Sequence, residues 1–279
     1  MFSKACSIVR NFTKPVVILI KYFDGTVSAG LGSYIILNEE GWVLTVSHLF
    51  NPFFLQLKHK DEIESYYKKI ETDKSKDTTA DEINYNPKWI DKFKIWFPDF
   101  PETKFEFKGE KNVDIALGKI SNFNPARIKG YPVFRNPETL NQGTSVCKIG
   151  FPFHMLKAKY DEENDKFKFD EKNLHFTYFP IDGIVTRNII PNIKNKNIKY
   201  LETSSPGLRG QSGGPIFDRE GRICALQSHT IHYPLGFSPR LNKNGKIVEE
   251  NQFLNVGVGV HVETILNYLK SKKVSFKIG

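Results

Sequence analysis

The sequence predicts an all-β fold with one terminal helix, and three observations carry the prediction. Short apolar runs such as Val16–Ile20, Gly32–Leu37 and Gly41–Thr45 are parted by turns rich in Gly, Asn and Asp, the punctuation of antiparallel strands. No segment approaches the roughly 18 continuous apolar residues of a membrane span, so none is predicted. Helical periodicity is convincing only near the end, where Val262, Ile265, Leu266 and Leu269 recur on one face and predict a helix over 262–272. The 279 residues, 39% of them hydrophobic, can bury a sizeable core and are read as a single domain.

In chain order, Val16–Ile20 reads as the first strand. Gly32–Leu37 and Gly41–Thr45 read as a hairpin whose second arm, continued by Val46 and Ser47, ends at His48. Residues 58–112 follow as a charged stretch rich in Lys, Glu, Asp, Tyr and Phe, within which Ile63, Tyr66, Tyr67 and Ile70 allow a short amphipathic helix. Val113–Leu117 is the next apolar strand, with Asp114 at its head. Val146–Pro152 and Asp182–Thr186 read as strands on either side of a second charged and aromatic stretch, 157–175. Beyond them, Gly210-Gln211-Ser212-Gly213-Gly214-Pro215 is a glycine-bounded loop. Pro215–Phe217, the turn Asp218–Gly221 and the run Arg222–Gln227 then read as a β-hairpin. Both charged stretches are expected on the surface, either as solvated decoration or as loops that carry specificity and regulation.

Ser212 lies between glycines whose backbone amides can point at the oxygen of an attacked carbonyl. A serine hydroxyl is a weak nucleophile near neutral pH, so it needs a base and an orienting acid. His48 alone would read as a core histidine capping a strand; with Ser212 downstream it reads as a general base. Asp114, followed by Ile115-Ala116-Leu117, is expected beside buried surface, where it needs a partner to offset desolvation. The imidazole N–H of His48 is the natural one. In this reading His48 takes the proton of Ser212 as the hydroxyl attacks, Asp114 fixes the tautomer, and the backbone N–H groups of Gly210 and Ser212 hold the oxyanion. The nucleophile elbow of an α/β-hydrolase would require a helix directly after the serine, where this sequence predicts a β-hairpin. The chemistry calls for no metal and no organic cofactor.

With the order His, Asp, Ser in these contexts, the chain resembles the chymotrypsin-like serine peptidases, most closely the bacterial trypsin-like branch that includes the HtrA/DegP proteases. The hairpin before His48, Val113–Leu117, Val146–Pro152, Asp182–Thr186 and Arg209–Pro215 carry the resemblance in the family's order, so it covers most of the chain. It implies two six-stranded antiparallel β-barrels, the first over 15–125 with 58–112 as a charged insertion, the second over 140–260 with the terminal helix packed on it. It implies a serine endopeptidase that cuts protein or peptide substrates through an acyl-enzyme. It also implies a primary specificity pocket with its base near Pro206 and Gly207, walls near Gln227, Ser228, His229 and Val256–Gly259, and Arg209 beside the nucleophile loop. No acid falls at that base, and a pocket without a fixed charge is expected to select small or medium apolar side chains by shape and burial. Gln211 stands where digestive relatives carry an aspartate, so their N-terminal activation switch is not expected. The HtrA resemblance implies instead regulation by loops that order around the Arg209–Gly210 peptide. No PDZ domain is expected after the terminal helix.

Lys and Arg outnumber Asp and Glu by 40 to 31, a net charge of +9, yet the lysines are scattered among glutamates, which reads as solubility rather than a nucleic-acid surface. Cys6, Cys147 and Cys224 form an odd set. Leu49 and Leu208 occupy the places where extracellular members of the resembled family carry cysteines. Arg10, Asn11 and Lys14 interrupt any secretion signal. A cytoplasmic protein of bacterial type is expected. Two other readings stay open: a catalytically silent, protease-like binding module, or a subunit of a larger complex that meets a regulatory protein partner through its charged loops.

Overall fold

Two antiparallel sheets form the body of the protein in a computed structural model that describes residues 1–73, 85–101, 105–169, 175–191 and 198–279. The first contains β1 (Thr13–Tyr22), β2 (Val27–Ile36), β3 (Trp42–Thr45), β4 (Ile90–Trp96), β5 (Phe105–Glu110) and β6 (Ile115–Ile120), in the order β4-β1-β2-β3-β6-β5. The apolar runs recognised in the sequence supply its core: Tyr34, Ile35 and Ile36 of β2, Val43 and Leu44 of β3, and Ile115 of β6 are all fully buried. The strands alternate little because both faces of this part of the sheet are covered.

The second sheet is assembled from β7 (Val133–Phe134), β8 (Ser145–Lys148), β11 (Ile181–Ile189), β12 (Tyr200–Thr203), β13 (Pro215–Phe217), β14 (Ile223–Pro234), β17 (Phe253–His261) and β18 (Lys277–Ile278). Two hairpins interrupt that series, β9 (Ala158–Asp161) with β10 (Lys166–Phe169), and β15 (Arg240–Lys243) with β16 (Lys246–Glu249). The order β13-β8-β11-β12-β17-β14 closes on itself, because β14 pairs back onto β13; β7 and β18 extend it beyond β14 through parallel pairings. The two six-stranded units expected from the sequence are thus present. The second is a closed barrel and the first a half-barrel sheet.

Three helices accompany the sheets: α1 (Ser3–Val9), α2 (Asn51–Asp73) and α3 (Val262–Ser271). The last matches the helix expected over 262–272 and buries Val262, Ile265, Leu266 and Leu269, with the imidazole of His261 capping it by accepting from the backbone N–H of Glu263. α2 is much longer than the short helix expected around Ile63–Ile70. Its tyrosines Tyr66 and Tyr67 close on Phe23, which Tyr85 and Trp89 also meet at ring separations of 5.7 and 5.5 Å. Gln56 and His59 tie the helix to the backbone of β4. The charged stretch 58–112 therefore contains most of α2 and two strands of the first sheet, while its residues 74–84 and 102–104 lie outside the described residues. In the stretch 157–175 the β9–β10 hairpin docks on the first sheet through Trp96 against Phe169 and through Lys21, which pairs with both Asp91 and Glu162; residues 170–174 lie outside the described residues. No helix among the described residues is long and apolar enough to cross a membrane.

Candidate active site

β3 and β6 are paired so that Thr45 lies opposite Ala116. Three residues beyond Thr45, a single 3-10 turn over Ser47–Phe50 carries His48; two residues before Ala116 stands Asp114. The strand pairing thus brings the two side chains together. Asp114 adopts a left-handed backbone conformation with φ of 52°, which non-glycine residues seldom hold without surrounding support. Here the support is its own carboxylate. Oδ1 accepts from the backbone N–H of His48 at 2.9 Å and from Ser47 Oγ at 3.1 Å, while Oδ2 accepts from His48 Nδ1 at 2.9 Å and from Ser228 Oγ at 2.5 Å. Burial by itself would raise the pKa of this carboxyl; the hydrogen bond and charge of His48 and the hydroxyl of Ser228 outweigh it and hold the group below the ordinary carboxylate range.

Ser212 arrives from the other sheet, in the loop between β12 and β13. Two hydrogen bonds lash this loop to β2: Ser33 donates its backbone N–H to Ser212 O and its hydroxyl to Gly210 O, each at 2.8 Å. Thr45 Oγ1 in turn donates to Ser33 O at 2.7 Å, which couples the loop to the strand that delivers His48. Gly210 has φ of +97°, and a Cβ there would meet Phe151 O at 2.3 Å, so glycine alone fits this turn. Among the described residues the backbone N–H groups of Gly210 and Ser212 have no acceptor, and the Arg209–Gly210 peptide makes no hydrogen bond through either end. The hydroxyl of Ser212 donates to Ser228 O at 3.4 Å and not to His48.

Ser228 and His229 line both the recess that contains His48 and Asp114 and the cleft that contains Ser212, so the two adjoin at these residues. Because Ser228 Oγ gives its proton to Asp114, the 3.0 Å contact with His229 Nδ1 leaves that nitrogen as the donor. Local desolvation lowers the pKa of His229 and favours its neutral form. The cleft, of about 600 Å³, is lined by Pro206, Gly207, Arg209, Gln227, Ser228 and His229, together with Thr230, His232 and Asn255, whereas Val256–Gly259, expected as the other wall, are not among its lining. Among the described residues no cluster of His, Cys, Asp or Glu could hold a metal ion.

The family model for the trypsin-like peptidase domain matches residues 32–226, which takes in His48, Asp114 and Ser212. The chain belongs to the trypsin-like peptidase family. No curated protein matches this chain in sequence. Among solved structures it is similar to the HtrA-type protease AlgW with a tripeptide (15% identity, TM-score 0.53, 97% of this chain and 63% of that one) and to a serine-to-alanine variant of AlgW with a decapeptide (13%, 0.54, 97% and 66%). At such identities the likeness concerns the fold. The chain spans less than two thirds of the length of the first of these structures.

Three residues of this peptidase domain have roles that the sequence did not signal. Ser33 was only one residue of a strand, yet it is the staple of the nucleophile loop. Ser228, expected in the pocket wall, lines the cleft and also turns its hydroxyl to Asp114. Lys148 was read as part of an apolar strand. It is fully buried, and its Nζ donates to Thr203 Oγ1 at 2.9 Å, Ser205 O at 2.8 Å and Pro206 O at 3.2 Å, directly behind the cleft. A pocket without a fixed charge was expected; Lys148 is not among the residues that line the cleft.

Proposed function

We propose that the protein is a serine endopeptidase in which Ser212 is the nucleophile, His48 the general base and Asp114 the group that orients and stabilises the imidazole. What supports the reading is the convergence of the His48–Asp114 pair with a serine loop whose two N–H groups, at Gly210 and Ser212, are left without acceptors. Such donors suit an oxyanion, and removal of one of them in enzymes of this chemistry lowers kcat by about a hundred- to a thousandfold. In the proposed reaction Ser212 Oγ bonds to the peptide carbonyl carbon as its proton passes to His48 Nε2. The same proton then goes to the departing amine, and water activated by His48 releases the acyl group. Ser212 must first turn its hydroxyl from Ser228 O towards His48, an adjustment in keeping with the loose nucleophile–base contacts of peptidases without substrate.

The peptides held by the AlgW structures support a peptide substrate in the cleft. The unanchored Arg209–Gly210 peptide supports regulation by rotation of that unit, with the β9–β10 hairpin or α2 as the surface a regulatory partner would engage. Three free, buried cysteines and no disulfide among the described residues are in keeping with a cytoplasmic setting. The missing Ser212–His48 bond is what a silent binding module would also show. Labelling with a fluorophosphonate separates the two: an enzyme forms an adduct that Ser212→Ala abolishes, whereas a binding module forms no Ser212-dependent adduct.

A further inference from the structure

Behind the cleft, one backbone carbonyl removed from its lining, lies a buried amine with no counter-ion. Lys148 projects from β8 into the barrel, where all three of its hydrogen-bond acceptors are neutral oxygens. An ammonium has three N–H donors, so the group is saturated without any counter-ion. It reaches this position because β17 has glycine at 257; a Cβ there would lie 2.3 Å from Nζ. The longest of its bonds, 3.2 Å, goes to Pro206, a residue of the cleft lining. None of the side chains lining the cleft is acidic, and Arg209 adds a positive charge to it.

We propose that this cleft selects an acidic side chain, Asp or Glu, immediately before the scissile bond, and that Lys148 is the buried positive group this side chain approaches. The proposal rests on the peptidase reading above and names its substrate class. Electrostatic attraction across a desolvated floor is stronger than in water, and a carboxylate can replace Pro206 O as an acceptor while supplying the charge the site lacks. Desolvation has pulled the amine's pKa down to about 7, and an entering anion would draw the proton back onto it. A second polar group competes for the role of reader. Gln227 donates through Nε2 to His229 O and Val258 O, and leaves its buried Oε1 without a donor among the described residues. That oxygen would favour an amide side chain over a carboxylate.

The deciding experiment measures kcat/KM on a peptide series that differs only in the residue before the cut: Glu, Asp, Gln, Leu, Ala and Lys. Glu or Asp should exceed Gln by roughly tenfold to a hundredfold, and in Lys148→Met the ratio of Glu to Gln should fall to near one. Preference of the wild type for Gln would assign the floor to Gln227 and overturn the proposal. Preference for Leu or Ala, or a Glu to Gln ratio untouched in Lys148→Met, would overturn it as well, and the wild-type ratio alone decides should the variant not fold. Fluorophosphonate labelling of the same preparation separates the two levels. Labelling at Ser212 without acidic preference sinks only the pocket assignment, whereas no labelling removes the peptidase reading and this inference with it.

Discussion

Replacing Lys148 by Met should stabilise the protein near neutral pH, and its effect should depend on pH in a calculable way. The amine ionises near its ordinary value of 10.5 in the unfolded chain and at about 7 in the folded protein, because burial disfavours its charge. Its folded pKa is lowered, so the penalty on folding is fully present below about pH 7 and disappears as pH rises through the unfolded value. At about 1.4 kcal/mol per pKa unit, the lysine costs about 4 kcal/mol at pH 7 and about 1 kcal/mol at pH 10. Methionine, similar in length and uncharged, removes this cost. It also strips Pro206 O of the amine's hydrogen bond, a loss of about 1–3 kcal/mol. Ser205 O keeps donors from the Gly257 N–H and Thr203 Oγ1. The hydrogen-bond loss is the same at both pH values, so the difference between them isolates the charge. Urea unfolding of wild type and variant at pH 7 and pH 10 should show the variant gaining about 3 kcal/mol more at the lower pH. An equal effect at both pH values would mean that Lys148 titrates normally and that the floor of the cleft is wet.

Asp114→Asn should lower kcat by about 10⁴-fold, because an amide stabilises the wrong imidazole tautomer while leaving the fold intact; steady-state kinetics beside an unchanged circular dichroism spectrum would check it. Ser33→Ala should slow phosphonylation of Ser212 about tenfold, since Gly210 O keeps only the Phe151 N–H at 3.0 Å, and an unchanged rate would show that the staple does not shape the loop. Cys147 and Cys224, whose thiol pKa values burial pushes up to about 12, should resist alkylation in the native protein at pH 8 and react only on unfolding, as mass spectrometry of iodoacetamide-treated samples would record.

The parts of the structure legible in the sequence are those in which local pattern and tertiary role coincide. β2, β3, β6 and α3 follow from apolar runs whose burial needs no distant partner to be inferred. His48 and Asp114 stand at the ends of such runs, and the pairing of β3 with β6 alone brings them together. α2 was only partly legible, since its N-terminal turns expose Phe53, Phe54, Leu55 and Leu57 and show no clean apolar face. The Phe23 cluster that holds its far end depends on residues distant in sequence. The role of Ser33, and the bond from Ser228 to Asp114, escaped notice for a different reason: a serine in a strand is unremarkable until the acceptor its hydroxyl meets is known.

Lys148 shows why a barrel strand can hide a charge. In Val146-Cys147-Lys148-Ile149 the lysine reads only as one residue of an apolar strand. Yet β8 is paired on both sides, with Ile181 of β11 and Ile216 of β13 opposite Lys148, so its side chain cannot leave the barrel sideways. The neighbouring position is closed to it too, because Cys147 occupies the outer face, where it borders a cleft shared with Cys6 of α1. With solvent denied, the amine must find oxygens inside, and the carbonyls at Ser205 and Pro206 are those whose backbone shapes the cleft. A buried lysine satisfied only by neutral acceptors contributes less stability than an apolar residue of the same volume. Its presence under the substrate cleft, rather than elsewhere in the barrel, is the feature a selective pocket accounts for and a purely structural lysine does not.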